Sequence, residues 1–178
     1  LFASLGCNIL ATDLDHESAD KDGWVQGKQH AAGIEHLDVR NICSPGVLSQ
    51  NASFRMVDMR ELPDDLRDFD FLWSSCAMEH LGSLRNGLDF VVNSMKCLKP
   101  GGIAVHTTEF NCDSDVETIE AGHDVIYRKR DLLGIAQELR ELGHEVLPMD
   151  FSLGMTEADA HVDEPPYTGM PHIRLRIG

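Results

Sequence analysis

The chain has 178 residues, enough for a single domain with a substantial core and not comfortably enough for two. Hydrophobic residues make up 42% and charged residues 25%, a balance that excludes a disordered chain. Fifteen Lys and Arg against 30 Asp and Glu give a formal charge of −15, a field that repels phosphate backbones and anionic lipid and so argues against nucleic acid and membrane as partners.

The first segment, Leu1-Phe2-Ala3-Ser4-Leu5-Gly6, has the pattern of a helix end closed by a glycine, so a preceding helix body upstream of Leu1 is expected. Asn8 to Thr12 is a short apolar run ending in Asp13-Leu14-Asp15, the pattern of a buried strand. Residues 16–50 are mostly polar, with a helix predicted from Trp24 to Leu37 and a turn at Ser44-Pro45-Gly46. Ser53 to Val57 is a second strand ending in Asp58, and Phe69 to Trp73 a third ending in Ser74-Ser75. Leu84, Leu88, Val91, Val92, Met95 and Leu98 recur at helical spacing until Pro100-Gly101-Gly102.

Ile103 to Thr107 is a fourth strand. Leu132, Ile135, Ala136, Leu139 and Leu142 mark a second amphipathic helix, with Asp131 at its start and Gly143 just past its end. Glu145-Val146-Leu147 and Ile173 to Ile177 complete six predicted strands. Strands alternating with helices predict an α/β domain over 1–178 with a mainly parallel sheet, whose ligands bind beyond the carboxyl ends of the strands. The segments 16–50 and 155–171 are long for such connections and are candidate lid or substrate loops.

The five cysteines, Cys7, Cys43, Cys76, Cys97 and Cys112, include no CxxC, and four sit in or beside apolar segments. A reducing cytoplasm is expected, and neither a disulfide framework nor a zinc motif. The nine histidines form no HxH or HxxxH pair, so no metal site is predicted.

Taken in order, these segments resemble the class I S-adenosylmethionine-dependent methyltransferases. Ile9-Leu10-Ala11-Thr12-Asp13 is similar to the family's second motif, and Val57-Asp58-Met59 with Glu61-Leu62-Pro63 to its adenine-side motif. Phe69 to Ser75 followed by Met78-Glu79-His80-Leu81 resembles its fourth motif, and Leu98-Lys99-Pro100-Gly101-Gly102 its turn into the fifth strand. The family's first strand and Gly-rich loop have no counterpart in this sequence. The resemblance implies a Rossmann-like three-layer sandwich, mostly parallel with an antiparallel last strand, lacking its first central strand.

It also implies S-adenosylmethionine as cofactor. Asp13 is placed on the ribose hydroxyls with Asp15 as the neighbouring alternative, Leu14 against the adenosine, Asp58 and Met59 at the adenine, and Ser74 and Ser75 along the methionine part. A cap on the Arg60–Leu62 turn is the structural alternative for Asp58, and core packing is the expectation for Trp73. An uncharged hydroxyl acceptor needs a general base. His80 and Glu109 are the candidate catalytic residues, with His106 and Asn111 behind them, and His106 is equally readable as a satisfied core histidine. The substrate expected is a small molecule or saccharide, and a homodimer is the candidate assembly. The rival readings are a non-catalytic binding module of the same fold and a nicotinamide dehydrogenase, in which an acid after the second strand serves a dinucleotide.

Overall fold

The structure, a computed structural model, describes residues 1–37, 42–152, 154–167 and 174–177. The chain forms two compact units, Leu1–Pro63 and Asp64–Gly178. It is a mixed α/β protein whose sheets are short parallel strand pairs. Among the described residues no helix is long and apolar enough to cross a membrane.

In the first unit a 3-10 turn at Ala3–Leu5 ends on Gly6, which takes the left-handed conformation and donates its N–H to the Ala3 carbonyl. Strand β1 (Ile9–Asp13) then runs parallel to β2 (Ala52–Met56), with Asp13 opposite Met56. Between them lies helix α1 (His16–Lys21), capped by the Asp15 carboxylate on the Ser18 N–H. The helix predicted from Trp24 to Leu37 does not form. Gly23 and Lys28 both have positive φ and break the segment into turns, leaving a 3-10 turn at Ile34–His36. Conversely, the turn predicted at Ser44-Pro45-Gly46 opens a helix, α2 (Pro45–Asn51). Ser44 is its N-cap and Pro45 its first residue, a pairing that favours helix starts.

The second unit is built on β3 (Phe69–Ser75) and β4 (Leu98–Thr107), again parallel. The register jumps between Phe69, opposite Leu98, and Phe71, opposite Ile103, an irregularity within β4 where Gly101 has positive φ. Helix α3 (Leu84–Ser94) connects the two strands, capped by Ser83. Its Leu84, Phe90 and Val91 are buried, and Phe90 meets the His106 ring edge-on at 5.4 Å. Gly87 is required there, since a Cβ would collide with the Tyr127 hydroxyl and the Met78 carbonyl.

Strand alternation sends Phe71, Trp73, Ile103 and Val105 to the face opposite His106, and all four are exposed. Trp73, expected in the core, is 56% exposed for that reason. Helix α4 (Lys129–Glu141) buries Ile135, Ala136 and Leu139 and ends as predicted, with Gly143 at positive φ and the His144 N–H returned to the Leu139 carbonyl.

Two expectations are corrected here. Residues 145–147 form no strand; Leu147 is 75% exposed, and three residues with no partner strand cannot hold a ladder. The last strand, β6 (Arg174–Leu175), is parallel rather than antiparallel. It pairs with β5 (Phe110–Asn111), and the connection between them contains α4, the helical crossover that parallel pairing needs. The loop predicted at 155–171 holds a short helix, α5 (Glu157–Ala160). Residues 168–171, together with 38–41 of the loop predicted at 16–50 and Ile173 of the last predicted strand, lie outside the described residues.

Candidate functional site

In the first unit the strand-end acids are tied into their own loops. Asp13 Oδ1 accepts the Leu14 N–H at 2.8 Å and Oδ2 accepts the Ala31 N–H at 2.9 Å. His30 donates through Nε2 to the Leu14 carbonyl at 2.9 Å, so Asp13 and Leu14 together pin the Gln29–Ala31 segment beside β1. Asp15, the alternative to Asp13, is the cap of α1, and its two bonds from Ser18 lower its pKa.

Asp58 takes the Arg60 N–H at 2.8 Å and is clasped by the Arg60 guanidinium, Nη2 to Oδ2 at 2.7 Å and Nε to Oδ1 at 2.9 Å. That guanidinium holds the Asp58 carboxyl below the usual carboxylate range. The turn-capping role foreseen for Asp58 is thus present, and Met59 beside it is half-buried.

In the second unit, Ser74 and Ser75 end β3 beside His106 and Thr107 of β4. Ser75 Oγ accepts the Thr107 hydroxyl at 3.2 Å. Ser74 Oγ lies 2.8 Å from His106 Nδ1, and Ser94 Oγ lies 3.4 Å from Nε2. His106 is therefore the satisfied core histidine, and burial pushes its pKa down to about 4.

A depressed histidine pKa favours the neutral ring in the folded state, so the unfolded chain binds the extra proton as pH falls. The associated stability is fully present above about pH 6.5 and is lost as pH drops from there through about 4. On the order of 2–3 kcal/mol is expected to disappear over that window. Urea unfolding midpoints of the native chain and of His106→Gln between pH 7 and 4.5 check this. The variant should lose the steeper part of the decline, and parallel curves would assign it to other groups.

Past Ser75 the chain turns sharply. Cys76 has φ 45°, a strained value for a residue with a Cβ. Its N–H is held by the Thr107 carbonyl at 3.0 Å. This turn delivers a 3-10 segment, Met78–His80, in which Glu79 is 1% exposed. Glu79 Oε2 accepts the Thr108 hydroxyl at 3.1 Å, whereas Oε1 is buried without a donor. Glu109, 7% exposed, is the neighbouring carboxyl. Burial first, then the bond to and charge of Glu109, hold the Glu79 carboxyl far above the usual range, so Glu79 keeps its proton. The thiol of Cys76 completes the group: ligand atoms of Cys76, Glu79 and Glu109 all lie within 4.8 Å of one another.

His80 points to a second cluster. Its Nδ1 is 2.7 Å from Asp124 Oδ1, and His123 Nδ1 reaches the same oxygen at 3.0 Å. The two imidazoles are 5.7 Å apart, centre to centre. Because a carboxylate only accepts, His80 donates from Nδ1, which in the neutral ring leaves the lone pair on Nε2. Asp124 reaches this point because residues 111–128 fold into a packed loop. Asn111, placed behind His80 and Glu109 as a candidate base, is structural here: its Nδ2 donates to the Glu117 carbonyl at 2.9 Å and its Oδ1 accepts the Asp113 N–H at 3.0 Å. The loop ends in Val125-Ile126-Tyr127, all at most 1% exposed.

The structure thus brings Glu109 to Glu79 and Cys76, and His80 to Asp124. The sequence reading did not single out Asp124, Cys76 or Thr108. Their only local signal is His123-Asp124 following Gly122, which is common in loops. Comparison with protein-family models and with curated proteins returned no match for this chain.

Proposed function

We propose that this chain is an S-adenosylmethionine-dependent methyltransferase domain acting on a small polar acceptor, a saccharide hydroxyl being the favoured class. The observation that supports this reading is the repeated placement of polar groups at carboxyl ends of parallel strands, Asp13 and Asp58 after β1 and β2, Ser74 and Ser75 at the end of β3. They follow the order of the family motifs that the sequence resembles.

Asp13 fits a ribose: a carboxylate offers about four acceptor directions, and two are taken by Leu14 and Ala31. S-adenosylmethionine, when bound, supplies a methyl group already activated on a sulfonium. The chain's task is then to hold the acceptor in line and keep water out. Within the first unit Asp13 and Leu14 would hold the adenosine, with Asp58 and Met59 at the adenine. His80 Nε2 takes the acceptor's proton while Asp124 fixes the ring, and Glu109 orients the acceptor.

Isothermal calorimetry with S-adenosylmethionine and, separately, NAD tests this. Binding of the first alone is expected, and binding of NAD alone would overturn the reading in favour of a dehydrogenase. Asp13→Ala should weaken the cofactor by about 1.5–3 kcal/mol, roughly ten- to a hundredfold. A strand-end acid facing solvent would carry little stability, but Asp13 anchors Ala31, so the variant should also lose about 1 kcal/mol of stability. Unchanged affinity would remove the ribose role.

A second reading, a non-catalytic module of the same fold, is favoured by one observation: the Asp58 carboxylate is already bridged on both oxygens by Arg60. Absence of binding to either nucleotide would select it.

A further inference from the structure

We propose that Cys76, Glu79 and Glu109 form a binding site for a divalent transition-metal ion of the zinc class. The inference stands independently of the methyl-transfer reading, because all three residues lie in the second unit and the test reads metal rather than turnover. Their donor atoms lie within 4.8 Å of one another, close enough that small side-chain movements bring them to bond lengths of roughly 2.0–2.3 Å around one ion.

Acidic groups gather on many surfaces without a ligand, but this cluster differs in its interior member. Glu79 is 1% exposed, and its Oε1 is buried with no hydrogen-bond donor while Oε2 is held by Thr108. A buried carboxylate oxygen that lacks a donor is costly unless a proton or a cation meets it. Its nearest charged neighbour, Glu109, carries the same sign and is itself 7% exposed. Two buried carboxylates and a thiol repel one another as anions. A dication meets all three donor groups at once, and the thiol gives up its proton as sulfur binds.

The donor set selects the ion. One thiolate with two carboxylates suits a borderline-soft ion such as Zn²⁺ or Co²⁺ rather than Mg²⁺ or Ca²⁺, which take oxygen alone. Three protein ligands leave a fourth tetrahedral position open, the arrangement of reactive rather than purely structural zinc sites. Cys76 is exposed, so that position faces solvent, where an acceptor oxygen can enter. The sequence hid this set because Glu109 comes from the end of β4, thirty residues after Glu79, which excludes any short metal-ligand spacing.

The experiment uses the whole 178-residue chain, freed of metal and then titrated with Zn²⁺, Co²⁺ or Mg²⁺. One equivalent of Zn²⁺ is expected to bind with a rise in melting temperature. Co²⁺ should give tetrahedral visible bands and a thiolate charge-transfer band, and Mg²⁺ at the same concentration should do neither. Cys76→Ser should abolish the charge-transfer band. Glu109→Gln should weaken Zn²⁺ about 100-fold or more, at least the loss that outer-shell partners produce.

Cys76 is exposed and Glu109→Gln preserves shape, and circular dichroism of each variant confirms its fold. If a variant fails to fold, the native cobalt spectrum and stoichiometry still decide. The proposal is overturned if the native chain binds no stoichiometric Zn²⁺ or if both variants bind it as the native chain does. It is equally overturned by a cobalt spectrum without thiolate character. In the first case Glu79 and Glu109 are simply a buried carboxyl pair.

Discussion

Replacing Arg128 with methionine is expected to destabilise the chain by about 3–5 kcal/mol, the cost of leaving a buried ionic partner uncompensated. Arg128 is 4% exposed. Its Nε and Nη2 fork onto the two oxygens of Asp131, at 2.8 and 3.1 Å, and its Nη1 donates to the Val116 carbonyl at 2.7 Å and to Glu120 at 2.9 Å. Methionine keeps the volume and the apolar stem but supplies no donor. Asp131, itself largely buried, then loses its counter-charge, and the Val116 carbonyl keeps only the longer bond from Arg130 Nη2, at 3.3 Å.

Double substitution with Asp131→Asn should recover part of the loss, since the uncompensated charge goes with it. Urea unfolding of the four proteins checks both numbers. A loss below about 1 kcal/mol for Arg128→Met would place this pair among the solvent-screened surface pairs. The effect reaches beyond stability. Arg128 clamps the loop that carries His123 and Asp124, so a loosened loop also frees the carboxylate on His80.

That loop marks where sequence legibility ends. Strands β1 to β4 were readable as short apolar or alternating runs, and helices α3 and α4 because each buries one face and burial imposes a period on the residues. Leu84, Phe90 and Val91, or Ile135, Ala136 and Leu139, repeat at helical intervals because they meet a core. The Gly143 terminus was readable because few residues other than glycine accept its backbone angle.

Residues 111–128 obey a different physics. Their order comes from side-chain to backbone bonds, such as Asn111 to the Glu117 carbonyl and Thr118 to the Ile126 carbonyl, which have no period. The strand expected at 145–147 failed for the complementary reason: a strand's existence depends on a partner that its own residues do not encode. The direction of β6 was likewise decided by a distant neighbour, β5.

The candidate site divides in the same way. Asp13, Asp58, Ser74 and Ser75 were placed by position at strand ends, and they lie at the carboxyl ends of β1 to β3 or immediately past them. The Asp58 cap on the Arg60 turn was legible, but the bonds of Asp13 and Ser74 were not, since Ala31 reaches across a loop and His106 across strands. The Glu79–Glu109 pair follows the sharp turn at Cys76, and that backbone angle leaves no signature in a Cys-Ala-Met-Glu string.

Under the proposed methyl transfer, His80→Ala is expected to lower turnover by about 10²–10⁴, the usual loss when a general base is removed. The geometry favours His80 over Glu109 for this role. Asp124 Oδ1, 2.7 Å from His80 Nδ1, fixes the tautomer that puts the lone pair on Nε2 and steadies the imidazolium formed when a proton arrives. Glu109 lies against Glu79, whose carboxyl holds its proton far above the usual range. Packed against that carboxyl, Glu109 is placed to orient an acceptor. Asp124→Asn keeps the size of the side chain but removes the charge, so it should lower turnover less than His80→Ala while leaving cofactor affinity unchanged. The measurement is transfer of a labelled methyl group to a panel of hydroxylated small acceptors, run beside the melting temperature of each variant. A helix-end charge alone is worth under about 1 kcal/mol of stability and nothing in rate. Near-normal turnover of His80→Ala with a lowered melting temperature would make His80 a structural partner of Asp124, and would leave acceptor positioning as the source of catalysis.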